Sequence, residues 1–186
     1  KGGLLIAAAP NILYYKDTTG DGRADLKEIL FSGFFTGNEE AQITNLRFGI
    51  DNWIYANNTG QAGEVHFSEN PGGPALQMRG SDFRFRLDRK QYELTTGAGQ
   101  FGLALDDWGH RFFTTNSIHI QQAVAPKRYL TRNPFLPSGL KSGAVNISDH
   151  DPIMFQISET PYWRQERTDR RNKEYQENKL DRVEYA

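Results

Sequence analysis

The sequence predicts an all-β fold of the propeller kind, with about three to four blades of a larger ring and a charged, helical C-terminal tail. Three observations carry this expectation. Short runs of β-branched and aromatic residues recur with turn formers between them. A Trp-marked hairpin occurs twice: LRFGIDNWIYANN (Leu46 to Asn58) and GLALDDWGHRFFTTN (Gly102 to Asn116) align with Asp51 on Asp106 and Trp53 on Trp108, an offset of 55 residues. The first segment follows the same plan, as GLLIAAAP, NILYYKD, a loop and KEILFSG. A β-sandwich would match this strand density but would not repeat a Trp hairpin, so the repeat favours blades.

Along the chain, Gly3 to Phe34 reads as one blade-like unit. Thr36 to Ala41, TGNEEA, reads as a polar crossing loop. Asn45 to Thr96 reads as a second unit, holding EVHFS, the loop ENPGGP, LQMRG, FRFRLD and QYELTT. In FRFRLD the alternation puts Phe83 and Phe85 on one face and Arg84 and Arg86 on the other. Gln100 to Val124 begins a third unit, Arg128 to Gly143 is loop-rich, and Ile153 to Ile157 (IMFQI) reads as a short strand. Residues 1–160 are thus expected to be a partial propeller. Residues 161–186 are expected to be a helical tail or linker, with Glu166/Arg170 and Asp169/Lys173 at helical spacing. Three units fall short of the roughly four to eight blades of a closed ring. The chain opens in strand pattern without an initiator Met and reads as an excerpt of a longer protein.

Composition narrows the classes of function. A net charge of −1 gives no nucleic-acid footprint. The absence of cysteine removes disulfides and thiolate metal sites from this stretch. No apolar run approaches the ~18 residues of a membrane span. LLIAAAP has the flavour of a signal core, but it runs directly into strand pattern and reads as a buried strand.

The most specific chemistry lies in DTTGDGRADLKE, Asp17 to Glu28. A twelve-residue calcium loop takes oxygens at positions 1, 3, 5, 7, 9 and 12, with Gly at 6. Here those are Asp17, Thr19, Asp21, the Arg23 carbonyl, Asp25 and Glu28, with Gly22 at the turn. The strand-like NILYY before it argues for a calcium-stapled β-turn rather than a helix–loop–helix. A ligand-free turn of the same residues is the alternative. A calcium loop also favours an exported, periplasmic or extracellular setting.

Other candidates are single residues. His66 reads as a structural strand residue, His110 as a solvated turn residue, and His150 as part of an acidic loop. His119, in TTNSIHIQQ, is the one candidate for a general base. Arg47, Gln122, Arg128 and Arg132 are candidates for binding an anionic cofactor or sugar acid, since Arg offers a bidentate fork to carboxylates. No nucleophile elbow, zincin helix, Walker loop or dinucleotide glycine motif is present.

The string DTTGDGRADLKEILFSGFFTGN, LRFGIDNWIYANN, RGSDFRFRLD, QFGLALDDWGHRFFTTNS, PKRYLTRNPF and YWRQERTDRRNKEY resembles the planctomycete-type membrane-bound dehydrogenase domain, a family related to six-bladed sugar dehydrogenases that use pyrroloquinoline quinone (PQQ). The resemblance implies an exported protein that oxidises a sugar or alcohol with PQQ and passes electrons to a cytochrome c domain or protein. It also implies a His base ahead of a Gly-Arg-Leu-like run. In EEAQITNLRFG, Ala41 or Gln42 stands there instead. Two functions therefore stay open: a PQQ-dependent dehydrogenase, and a non-catalytic, calcium-stabilised propeller that binds carbohydrate or protein. Any ligand site is expected on the axial face, near Gln42 to Arg47 and Asn116 to Gln122.

Overall fold

A computed structural model describes residues 2–137, 142–147, 157–177 and 179. Strands β1 (Leu4–Ala8), β2 (Asn11–Lys16) and β3 (Leu26–Ser32) form an antiparallel meander. A 3-10 turn at Glu39–Ala41, capped by the Asn38 side chain accepting from Glu40 N, leads to β4 (Thr44–Phe48) and β5 (Ile54–Asn57). Next come β6 (Gly63–Phe67), β7 (Leu76–Met78), β8 (Asp82–Arg86) and β9 (Gln91–Thr95). The last described strands are β10 (Gly102–Leu105), β11 (Arg111–Thr114), β12 (Gln121–Ala123) and β13 (Ala144–Asn146). One helical turn, α1 (Lys127–Leu130), lies between β12 and β13. The described chain is mostly β and arranged in three antiparallel sheets: β1-β2-β3-β6-β7, β4-β5-β8-β9 and β10-β11-β12-β13.

This order corrects the expected second unit. EVHFS and LQMRG do form strands, but β6 and β7 leave the second sheet and extend the first, with Phe31 opposite Phe67 and Ser32 opposite His66. Two side-chain facts account for the crossing. Phe31 and Phe67 stack at 4.7 Å. Gly33, at φ +95°, lets the backbone of Glu64 and Val65 come in so close that a Cβ at position 33 would collide with the Glu64 carbonyl. The expected loop between Arg128 and Gly143 also begins within a helical turn, because Pro126 presets its entry. The strand expected at Ile153 to Ile157 lies, but for its last residue, outside the described residues.

The core forms where the first and second sheets face each other. Phe83 and Phe85 are fully buried, as the alternation of FRFR requires. They meet Phe31 at 5.2 and 4.9 Å, and Phe34 meets Phe83 at 5.2 Å. Edge-to-face and offset pairs of this kind add to the burial of the rings. The opposite face of the second sheet carries the cross-strand row Tyr55, Arg84, Glu93 and turns toward the third sheet. The first strands of the sheets lie side by side, β1 by β4 and β4 by β10.

The chain divides into two compact units, Lys1–Pro152 and Ile153–Ala186. The second contains α2 (Tyr162–Gln176), with Arg164 and Arg167 over the Trp163 ring at 5.3 and 5.4 Å and Gln165 Nε2 donating to Asp169 Oδ1 at 3.0 Å. Among the described residues no helix is long and apolar enough to cross a membrane.

Candidate functional site

The predicted metal turn connects β2 to β3. Asp17 accepts four hydrogen bonds there. Its Oδ1 takes Thr19 N at 3.0 Å, Gly20 N at 2.6 Å and Thr19 Oγ1 at 3.3 Å, and its Oδ2 takes Gly22 N at 2.7 Å. The Gly20 and Gly22 N–H groups hold its carboxyl below the usual carboxylate range, against a smaller opposing effect of desolvation. Asp21 Oδ1 accepts from Arg23 N at 2.9 Å. Asp25 takes the Thr18 hydroxyl and, at 2.7 Å, Thr18 N, and these bonds lower its pKa in that order. Glu28 sits in β3, exposed, opposite Tyr14. A carboxylate offers about four acceptor positions, and Asp17 has four donors. The loop is thus closed by its own N–H and hydroxyl groups, with three donors on Oδ1 and one on Oδ2. Among the described residues no group of three or more His, Cys, Asp or Glu is placed to hold a metal ion.

The repeated Trp hairpins use the repeated aspartate in the same way. Asp51 Oδ1 accepts Trp53 N at 3.2 Å, and Oδ2 accepts the Tyr55 hydroxyl at 2.7 Å. Asp106 Oδ1 accepts Trp108 N at 3.0 Å and His110 N at 2.8 Å, and Oδ2 pairs with His110 Nδ1 at 2.7 Å. Desolvation opposes ionisation of Asp106, but the bonds from His110 and Trp108 together prevail and keep its carboxyl below the usual range. His110 is exposed, as expected of a solvated turn residue, and it also closes its hairpin as Tyr55 closes the preceding one. The backbone registers differ, since Gly49 N bonds Trp53 O in one hairpin and Asp106 N bonds His110 O in the other.

Two cavities lie at seams between sheets. The first, about 350 Å³, opens where β4 and β10 begin, and is lined by Glu39, Glu40, Gln42 to Asn45, Gln100 and Phe101. Gln100 ties its wall together. Its Nε2 donates to Glu40 O at 3.1 Å, its Oε1 accepts Asn116 N at 3.1 Å, and its carbonyl accepts Asn45 Nδ2 at 3.4 Å. The second, about 190 Å³, lies between the second and third sheets, beside α1, with Arg84, Glu93, His110, Arg111, Lys127 and Arg128 in its wall.

The structure does not bring the candidate residues into one site. His119 is exposed between β11 and β12 and lines neither cavity. Arg47 is exposed in β4 opposite Tyr55, and Gln122 sits in β12 between Phe112 and Val145. Arg132 lies over the Tyr129 ring at 5.7 Å. Arg128 alone of the set lines a cavity. Ala41 is buried, and Gln42 lines the first cavity. His150 lies outside the described residues.

PQQ, a tricarboxylate, needs both charge and room. The first cavity falls within the ~300–1,000 Å³ of ordinary ligand sites, but its charged lining is Glu39 and Glu40. The second has the cations, but at about 190 Å³ it is too small for the fused ring system. Neither of these two cavities by itself combines the charge and the room.

What sequence reasoning missed is Arg111. It reads as an ordinary strand residue, yet it is 4% exposed and its Nη1 pairs with the fully buried Asp82 at 2.9 Å. The available signal was an Arg within an aromatic strand, RFFTT, where a charge needs a buried partner.

A family model described as "Domain of unknown function (DUF7133)" matches residues 1–182, and the chain belongs to that family. No curated protein and no solved structure matches the chain.

Proposed function

We propose, from a family whose description names no activity, that this chain is a section of an exported β-propeller, about three to four blades of a larger ring, that binds carbohydrate at its axial face. The side-by-side first strands support the ring, because propellers set the innermost strands of their blades around a common channel. The observation that carries the ligand class is the chemistry of the 350 Å³ cavity at the start of β4 and β10. The amides of Gln42, Asn45 and Gln100 both donate to and accept from hydroxyl groups, and the carboxylates of Glu39 and Glu40 accept from them. Phe101, 54% exposed, adds an apolar face. A neutral polyol matches that lining, and a polyanion does not. Calcium belongs to this reading through the spacing of Asp17 to Glu28, and protein partners remain an alternative occupant of the exposed loops.

The second reading is the sugar or alcohol dehydrogenase with PQQ and a cytochrome partner. One observation favours it: Glu39 and Glu40 bring titratable groups into the same cavity, where Ala41 and Gln42 supply none. A general base must reach its proton, and exposed His119 lines neither cavity. Calorimetric titration of the intact protein with mono- and disaccharides tests the first reading. Saturable binding weakened by Gln100→Ala and Phe101→Ala is expected, and no binding to any sugar refutes it. Dye reduction with added PQQ and calcium tests the second. Turnover abolished by Glu40→Gln, with folding intact, would displace the binding module.

A further inference from the structure

The cleft between the second and third sheets shares no lining residue with the cavity proposed for sugar, and its cations are unevenly satisfied. Arg84 is saturated: it bonds Glu93, donates to the Tyr55 hydroxyl at 3.1 Å, lies 3.7 Å from Asp51 and stacks over Trp53 at 4.2 Å. Arg111 differs. Its Nη1 is committed to Asp82, but its Nη2 is buried without any hydrogen-bond partner. Lys127 Nζ reaches the Gly80 carbonyl at 3.4 Å, a long bond. Arg128 Nη1 is 3.8 Å from Glu93, beyond hydrogen-bond reach, and its guanidinium lies over Tyr129 at 4.9 Å. Glu93, the carboxylate in the lining, is already taken by Arg84. Arg111, Lys127 and Arg128 therefore border one small cavity whose carboxylate, Glu93, is already paired. An excess of positive charge in a cleft focuses its field on an anion.

We propose that this cleft is a binding site for a compact oxyanion, a carboxylate or a phosphate, held by Lys127 and Arg128 with the Arg111 charge behind them. The cavity's 190 Å³ is about six water volumes at ~30 Å³ each, which suits an anion of a few heavy atoms. Arg forks match the two oxygens of a carboxylate or phosphate, and Lys adds a mobile point charge. Asp82 keeps Arg111 in place by holding Nη1. The inference needs only the second and third sheets. It stands or falls separately from the sugar site and from ring closure.

The test is calorimetric titration of the full chain at low ionic strength with two probes, inorganic phosphate and glycerate, against a chloride control. Saturable binding of either is expected, and the tighter of the two identifies the source. The double variant Lys127→Gln/Arg128→Gln, at exposed or half-buried positions, should fold normally and weaken binding by about tenfold or more, the worth of a charge-assisted hydrogen bond. Arg89→Gln, outside the cleft, should leave affinity unchanged. Absence of saturable binding for both probes overturns the proposal. So does equal affinity in the double variant, or an equal loss in Arg89→Gln, which would indicate diffuse charge attraction.

Discussion

Replacing Arg111 by Met should destabilise this domain far more than an ordinary surface charge would. Asp82 is fully buried, and its Oδ1 accepts from Asn58 N at 2.9 Å and Gly99 N at 3.1 Å. Its Oδ2 faces Arg111 Nη1 at 2.9 Å. At an effective dielectric of ~20 such a pair gains about 4 kcal/mol, which roughly offsets the cost of burying both ions. Removing only the cation keeps the burial cost and loses the gain, a loss of about 3–5 kcal/mol. For a chain of this size that lowers Tm by about 6–20 °C. Burial already pushes the Asp82 pKa up, opposed mainly by Arg111. In Arg111→Met that opposition is gone, and the folded pKa rises further above the unfolded ~3.9. Protonation then relieves the variant at low pH, so its deficit should be smallest near pH 4 and grow as pH rises through the folded pKa. Urea unfolding followed by Trp fluorescence measures the effect across pH. The double variant Asp82→Asn/Arg111→Met carries no buried charge and should fall short of the sum of the single losses by about 1–3 kcal/mol. A loss under about 1 kcal/mol for Arg111→Met, or strict additivity in the double variant, would refute this account of the pair.

Three further outcomes follow from the fold. Because Asp17 already accepts donors from Thr19, Gly20 and Gly22 with which calcium would compete, calcium should bind weakly, with Kd around 10⁻⁴–10⁻³ M; millimolar calcium should raise Tm and EDTA should leave the calcium-free protein unchanged. The lowered pKa of Asp17 and Asp25 means that their contribution is present above the unfolded value and lost as pH falls through the folded one. Protection of the Gly20 and Gly22 amides, measured against their intrinsic exchange rates, should therefore fall below about pH 4, and Asp17→Asn should lower it at neutral pH. Gly33→Ala, at φ +95° and facing the Glu64 backbone, should cost about 2 kcal/mol or more and speed amide exchange in β6 and β7, as read by NMR.

Much of the fold was legible because its signals are local. The alternation FRFR places Phe83 and Phe85 inside, and the repeated Asp-x-Trp marks two hairpins that use the aspartate as the same acceptor. The partner of β6 was not legible. EVHFS announces a strand, but only the Phe31–Phe67 stack and the close approach at Gly33, some thirty residues back, select the first sheet over the second. The candidate site divides similarly. Of the segments expected on a ligand face, Gln42 to Arg47 and Asn116 to Gln122, only Gln42 to Asn45 line the first cavity. His119 was picked by residue type and turned out to be exposed, while Arg111 was passed over because its meaning depends on Asp82, 29 residues earlier.

The return of β6 and β7 to the first sheet has a consequence for how such a domain can evolve. Blade-like repeats are usually pictured as cassettes that can be duplicated, lost or exchanged at the connecting loops. Here a crossover in TGNEEA, between β3 and β4, would hand over the first sheet without its two outer strands. It would also uncover Phe31, whose partners Phe67, Phe83 and Phe85 are all encoded downstream of that junction. The smallest heritable block that conserves both sheets runs from β1 through β9. Gene duplication or shuffling in this lineage should therefore break after Thr96 rather than at the first polar loop.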